Sequence, residues 1–69
     1  MTWAVNYRQN WIADRLAILG FINRAHLMKN FSISAQQASI DLNRFLREHP
    51  GVMAYDKTAK RYVRITESR

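Results

Sequence analysis

The sequence predicts a mainly α-helical domain that ends in a small β-hairpin. The chain has 69 residues, enough for a single small core. Apolar residues recur at helical spacing up to residue 48, and after Gly51 the apolar period changes from about 3.6 to about 2 residues. Because a two-stranded hairpin is not stable alone, we expect the hairpin to pack against the helices, giving a single domain over residues 1–69.

The first helix is predicted over about residues 7–20, with Asn6 as its N-cap and Gly20 near its C-terminal end. Residues 3–5 are expected to precede it. Its apolar residues recur at spacings of three, four and seven, and the pattern continues to residue 22: Trp11, Ile12, Leu16, Ile18, Leu19 and Ile22.

A short second helix is predicted over residues 24–31, with Asn23 as its N-cap. Its apolar side is formed by Leu27, Met28 and Phe31. The dipeptide at residues 32–33 leaves room for only a tight turn before the next element.

The third helix, over residues 35–48, has the strongest local signal. Ser34 and Gln37 have the spacing of a capping box, in which the two side chains bond each other's backbone. The helix must end before Pro50 and Gly51, which are turn residues.

The hairpin, a wing over about residues 52–65, is predicted from two β-prone runs, 52–55 and 61–65. Asp56 is suited to start the connecting turn. Three cations are expected at the tip: Lys57, Lys60 and Arg61.

Helix, helix, tight turn, helix and hairpin is the order of a winged helix-turn-helix: three helices plus a wing. In this motif the third helix enters the DNA major groove. Apolar residues gather on one side of that helix and should face the core: Ala35, Ala38, Leu42, Phe45 and Leu46. The opposite side is mostly polar: Gln36, Gln37, Ile40, Asn43, Arg44 and Arg47.

The net charge of the chain supports the interpretation as a DNA-binding domain. Eleven Lys+Arg against five Asp+Glu give a formal net charge of +6, which favours a polyanionic partner such as nucleic acid, with anionic membrane as the main rival. Amide and guanidinium groups can read base edges, and Ile40 can touch a thymine methyl or a partner chain. A merely solvated polar face is the alternative interpretation.

These arguments predict two sets of double-stranded DNA contacts. The base-reading set is Gln36, Gln37, Ile40, Asn43 and Arg44. The backbone-contacting set is Arg24, Ser34, Arg47, Lys57, Lys60 and Arg61.

Composition argues against other classes. The chain has no Cys, so disulfides, zinc fingers and thiol catalysis are excluded. His26 and His49 lack neighbours at metal-ligand spacing, and no apolar run approaches the roughly 20 residues of a membrane helix. We expect a cytoplasmic protein without membrane contact, catalytic residues, metal, cofactor or small-molecule ligand.

A family resemblance rests on the combined spacing of several short pieces over about residues 8–64. The chain resembles the N-terminal winged-helix domain of WYL-domain transcriptional regulators, in the subgroup that represses phage-defence operons of the BREX and CBASS types. The matching residues are Gly20 to Arg24, Leu27, Phe31, Ile33, Ser34, Gln37 to Ser39, Asp41, Leu42, Pro50, Tyr55, Asp56, Lys60, Tyr62 and Val63.

The resemblance implies a sequence-specific, dimeric repressor that binds inverted repeats. Such regulators continue into a WYL domain and a dimerisation element, whereas this sequence stops at Arg69. It is therefore either a fragment or a stand-alone regulator. We predict that residues 3–5 and the outer side of the first helix form a twofold contact; the alternative is that Trp3 folds back over its own core.

A second function remains open from the residues alone. A small phage or mobile-element protein can use a winged helix to bind and inhibit an acidic host protein. The amides and arginines around Ile40 favour DNA.

Overall fold

The computed structural model describes residues 3–65 and has a winged-helix fold. Residues 1, 2 and 66–69, which the sequence analysis assigns to the same domain, lie outside the described residues. The elements in chain order are α1 Trp3–Leu19, β1 Phe21–Ile22, α2 Arg24–Phe31, α3 Ala35–Glu48, β2 Met53–Asp56 and β3 Arg61–Arg64.

Helix α1 begins at Trp3, so the prediction of a start at residue 7 with Asn6 as N-cap was wrong. The extra turn brings Trp3 one turn before Tyr7, and their rings stack with centroids 5.2 Å apart and planes 9° apart. Such pairing of residues four apart stabilises a helical turn that lacks strong propensity signals. The other end is as predicted: the helix stops before Gly20, which has φ of +83°.

Strand β1 was not predicted, because the apolar periodicity of α1 runs on through Phe21 and Ile22. Gly20 turns the chain out of the helix, and its carbonyl accepts a bond of 2.8 Å from the Arg64 N–H. The dipeptide then pairs antiparallel with β3, with Ile22 opposite Tyr62. The wing therefore belongs to a three-stranded sheet of order β1-β3-β2, rather than a two-stranded hairpin.

Helix α2 has the predicted bounds and N-cap. Asn23 Oδ1 accepts from the His26 N–H at 3.0 Å, and the Asn23 N–H donates to His26 Nδ1 at 3.4 Å. This reciprocal pair is a capping box. The helix ends at Ser32, whose left-handed φ of +54° makes the tight turn that precedes α3.

Helix α3 also has the predicted bounds, but only half of its predicted capping box forms. Ser34 Oγ accepts from the Gln37 N–H at 3.0 Å. The Gln37 side chain does not return to the Ser34 backbone; its Nε2 donates to Asp41 Oδ1 at 3.0 Å. The Gln37 amide is thus oriented by a bond to a buried carboxylate one turn later, and a hydrogen bond to a charged group is stronger than one to a neutral group.

The core lies between the three helices and the sheet. Its buried apolar residues are Ile12, Leu16, Ile22, Leu27, Ala38, Leu42, Phe45 and Met53. The predicted burial of Leu42 and Phe45 is confirmed. Ile18 and Leu19, which share the α1 periodicity, are instead 71% and 45% exposed.

The turn of the wing is organised by Asp56, as predicted. Its Oδ1 accepts from the N–H groups of Thr58 and Ala59 at 2.9 and 3.1 Å. Its carbonyl accepts from the Lys60 N–H at 2.7 Å. The carboxylate thus satisfies backbone donors that the short turn leaves without ladder partners.

Candidate nucleic-acid interface

The outer face of α3 lies opposite its core side and is made of exposed side chains. Gln36, Asn43 and Arg47 surround Ile40, whose side chain is 54% exposed. An exposed isoleucine among polar groups is not needed for the core. The face therefore combines hydrogen-bonding groups with a single apolar contact point, which suits the mixed chemistry of base edges.

Gln37 and Arg44, predicted on the same face, lie on its flank toward α1 and are half-buried. Gln37 is held by its bond to Asp41. Arg44 Nε lies 3.3 Å from Glu48 Oε2, an ion pair one helical turn apart. Of the six residues predicted on the outer face, four have exposed side chains. The other two, Gln37 and Arg44, contact neighbouring carboxylates.

The charged contact between α1 and α3 was missed by the sequence analysis. Asp41 is 1% exposed, and its Oδ2 accepts from Arg8 Nε at 2.6 Å while Oδ1 accepts from Arg8 Nη2 at 3.3 Å. Gln9 Nε2 also donates to the Asp41 carbonyl at 2.9 Å. Residues 8 and 41 are far apart in sequence, so no local signal could have paired them. This contact sets the position of α3 against α1.

Two predicted backbone contacts lie at helix starts. Arg24, the first residue of α2, is exposed, and its Nη1 donates to Ser39 Oγ at 3.4 Å. Ser34 is exposed and has its hydroxyl engaged as the α3 N-cap. Both residues lie beside α3, one at its flank and one at its N-terminus.

The wing presents two of its three predicted cations. Lys57 and Lys60 are exposed in the turn. Arg61 is half-buried, with its guanidinium carbon 4.1 Å from the centroid of the Phe21 ring. Arg61 pairs with Asp56 of β2, and the next residue, Tyr62, pairs with Tyr55. Because successive strand residues point to opposite faces of a sheet, Arg61 and Tyr62 lie on different faces. Arg61 is the first residue of β3 and directly follows the turn, and cation–π packing draws its side chain onto β1.

A second exposed surface, here called the aromatic face of α1, lies away from the wing. Trp3 and Tyr7 stack on each other and are 77% and 51% exposed. Phe31 of α2 packs edge-on against both Tyr7 and Trp11, with centroids 5.8 and 5.2 Å apart. Trp3 therefore does not fold back over the core.

The described part of the chain holds no cluster of three metal-ligating side chains. Within residues 3–65, α1 and the other helices are all too short or too polar to cross a membrane.

The order of the helices and the three-stranded sheet, with an amide- and arginine-bearing third helix, defines the winged helix-turn-helix class. Residues 5–68 match the model of the BrxR transcriptional regulator winged helix-turn-helix domain, and the chain belongs to that family. Two relatives are each described as the DNA-binding transcriptional repressor CapW. The one from Stenotrophomonas maltophilia is 40% identical over 94% of this chain, and the one from Escherichia coli strain KTE188 is 37% identical over 87%. The chain spans about a fifth of the length of these relatives, 22% and 20% respectively.

Proposed function

We propose that this chain binds double-stranded DNA sequence-specifically in the cytoplasm and represses transcription by occupying a promoter. The main observation behind this proposal is the outer face of α3, where the exposed side chains of Gln36, Asn43 and Arg47 surround an exposed Ile40. Its position after a tight turn and beside a basic wing supports a groove-entering role. The similarity to relatives described as transcriptional repressors supports repression. Occlusion needs binding alone, so no catalysis is involved.

Base reading is assigned to the N-terminal half of α3. The Gln36 amide can pair with adenine, and Ile40 can contact a thymine methyl. Asn43 continues this row along the helix. Gln37 and Arg44 flank it, and the bond from Gln37 to Asp41 orients that amide before DNA arrives, which lowers the entropy lost on binding.

Backbone contacts are assigned to exposed cations on both sides of that row. Arg24 lies at the start of α2, Arg47 at the end of α3, and Lys57 and Lys60 on the wing. Ser34 adds a polar group at the α3 N-terminus. Arg61 contributes charge and holds the wing against Phe21.

Selection of bound sequences from a random duplex pool tests specificity. We expect one enriched motif, and recovery of unenriched DNA would contradict sequence-specific reading. The salt dependence tests the electrostatic part. With about four to six phosphates neutralised per chain, the log–log slope of affinity against salt should be about −4 to −5. A slope near zero would contradict the proposal of DNA binding. It would favour the alternative, in which the winged helix binds an acidic protein.

We also propose that two copies bind an inverted repeat through the aromatic face of α1. Trp3, Tyr7 and Ile18 expose large apolar side chains on a helix that already fills its place in the core. Exposed large apolar side chains of this kind are typical of an interaction site. A twofold dimer places two reading helices about one DNA turn apart. Analytical ultracentrifugation with and without a selected palindrome measures the stoichiometry, and a single copy on a full palindrome would overturn this part.

A further inference from the structure

A cleft of about 280 Å³ lies between the N-terminus of α2, the flank of α3 and the wing. It is not explained by the core, since polar groups from three separate elements converge on it. Its lining residues are Asn23, Arg24, Ser39, Tyr55, Lys60 and Tyr62.

The chemistry of the lining matches an anion. Arg24 is in position on one wall, because its Nη1 already donates to Ser39 Oγ at 3.4 Å. Lys60 supplies a second cation from the wing, and none of the lining residues is acidic. The nearby Asp56 has its Oδ1 occupied by two backbone N–H groups of the turn, so it is already satisfied within the wing.

Hydroxyl groups complete the lining. Tyr55 and Tyr62 lie opposite each other on β2 and β3, with rings 5.0 Å apart. Tyr62 packs against the core, while Tyr55 is 50% exposed. Tyr55 and Ser39 therefore bring hydroxyl donors to a cleft that Tyr62 supports from beneath.

The backbone of Lys60 gives independent support. Its φ is +57°, a left-handed conformation that glycine or asparagine adopts more readily than lysine. Nothing in the turn itself requires a lysine there, because the bond to the Asp56 carbonyl uses the Lys60 backbone. Because Lys60 occupies a strained backbone position next to the cleft, we expect its side chain to have a function there.

We propose that this cleft binds one phosphodiester group of the DNA backbone, with Arg24 and Lys60 providing charge and Ser39 and Tyr55 donating hydrogen bonds. This rests on the proposed function. The shared phosphate would hold the wing and α3 at the same point of the DNA backbone, and so set the register of α3 on the duplex.

The test is a double-mutant cycle on binding of a mixed-sequence duplex of about two helical turns at fixed low salt, measured by fluorescence anisotropy. Lys60→Gln should weaken binding about tenfold, because it removes a charge-assisted bond. Its effect should be non-additive with Tyr55→Phe by about threefold or more, since both side chains contact one phosphate. Lys57→Gln removes the same charge from the same turn, outside the cleft, and should be additive with Tyr55→Phe.

Stability separates binding from folding. Lys60→Gly should melt at or above the wild-type temperature and still bind DNA as weakly as Lys60→Gln. Ser32→Gly, at the other left-handed position, is the matched control and should keep wild-type affinity. If the wild type binds duplex but Lys60 and Tyr55 act additively, or if Lys60→Gly binds duplex as tightly as the wild type, the cleft does not bind phosphate. If the wild type binds no duplex at all, the proposed function itself fails.

Discussion

Helices α1 and α3 contribute to the same core but differ in what they leave exposed. On α3 the buried Leu42 and Phe45 are opposed by polar side chains, with Ile40 as the one large apolar exception. On α1 the buried Ile12 and Leu16 form a narrow stripe, and Trp3 and Ile18 are more than 70% exposed. A core needs only one stripe per helix. This difference is the basis of the two proposals made above, a polyanionic partner for α3 and an apolar protein surface as the partner of α1.

The largest expected effect contrasts a buried residue of α3 with an exposed residue of α1. Phe45→Ala should lower the free energy of unfolding by about 3–5 kcal/mol, because it opens a cavity in the core. That loss is enough to unfold a domain of this size. Ile18→Ala, at a side chain that is 71% exposed, should change it by less than about 0.5 kcal/mol. Urea denaturation followed by circular dichroism measures both, and equal effects would contradict the assignment of the two faces.

The contact between the two helices gives the next effect. Arg8→Met leaves the buried Asp41 carboxylate without its cation and should cost about 3 kcal/mol. The double variant Arg8→Met with Asp41→Leu should recover most of that loss, because neither charge is then buried alone. A thermodynamic cycle from urea melts measures the coupling. Independent, additive losses would show that the ion pair does not hold α1 against α3.

The aromatic face of α1 should affect assembly and leave folding intact. Trp3→Ser should lower cooperative binding to a two-half-site duplex by about tenfold or more, since buried tryptophans often dominate interfaces. Binding to a single half-site should stay within about twofold of the wild type. Because α1 begins at Trp3, this substitution is cleaner than removing residues 1–5, which deletes the first helical turn. Unchanged cooperativity in band-shift titrations would locate the dimer contact elsewhere.

The smallest effect separates base reading from backbone contact. Gln36→Ala should cost about 1–3 kcal/mol on the preferred base pair and little on a duplex altered at that position. Replacing Lys57 and Lys60 together with Ala should weaken all sequences alike and flatten the salt slope by about one to two units. Competition titrations against single-base variants measure both. If Gln36→Ala weakened binding to all duplexes equally, Gln36 would not be a base-reading residue.

Several elements could be predicted because their signals are local. Asn23 and Ser34 cap α2 and α3 through bonds to residues three positions on, and the observed bounds coincide with the predicted ones. Asp56 organises a turn within four residues. The outer face of α3 follows from a period of about 3.6 residues, which needs no knowledge of neighbours.

The corrections concern contacts between distant residues. β1 is two residues long, and its pairing with β3 joins Ile22 to Tyr62 across most of the chain. The packing of the Arg61 side chain on Phe21 could not be predicted either, because the sequence of a strand does not reveal a ring on a neighbouring strand. Gln37 follows the same logic, since its role depends on a carboxylate that α1 helps to bury.

The sequence by itself determined the order of the three helices and the hairpin, the N-caps of α2 and α3, and the polar outer face of α3, because each depends on chemistry within one or two turns of chain. Only the tertiary structure decided which of those residues keep their side chains exposed. Ion pairs and ring contacts join elements far apart in sequence, so the apolar period does not reveal them. The cleft at Arg24, Ser39 and Lys60 exists for the same reason: three elements must pack before its walls meet.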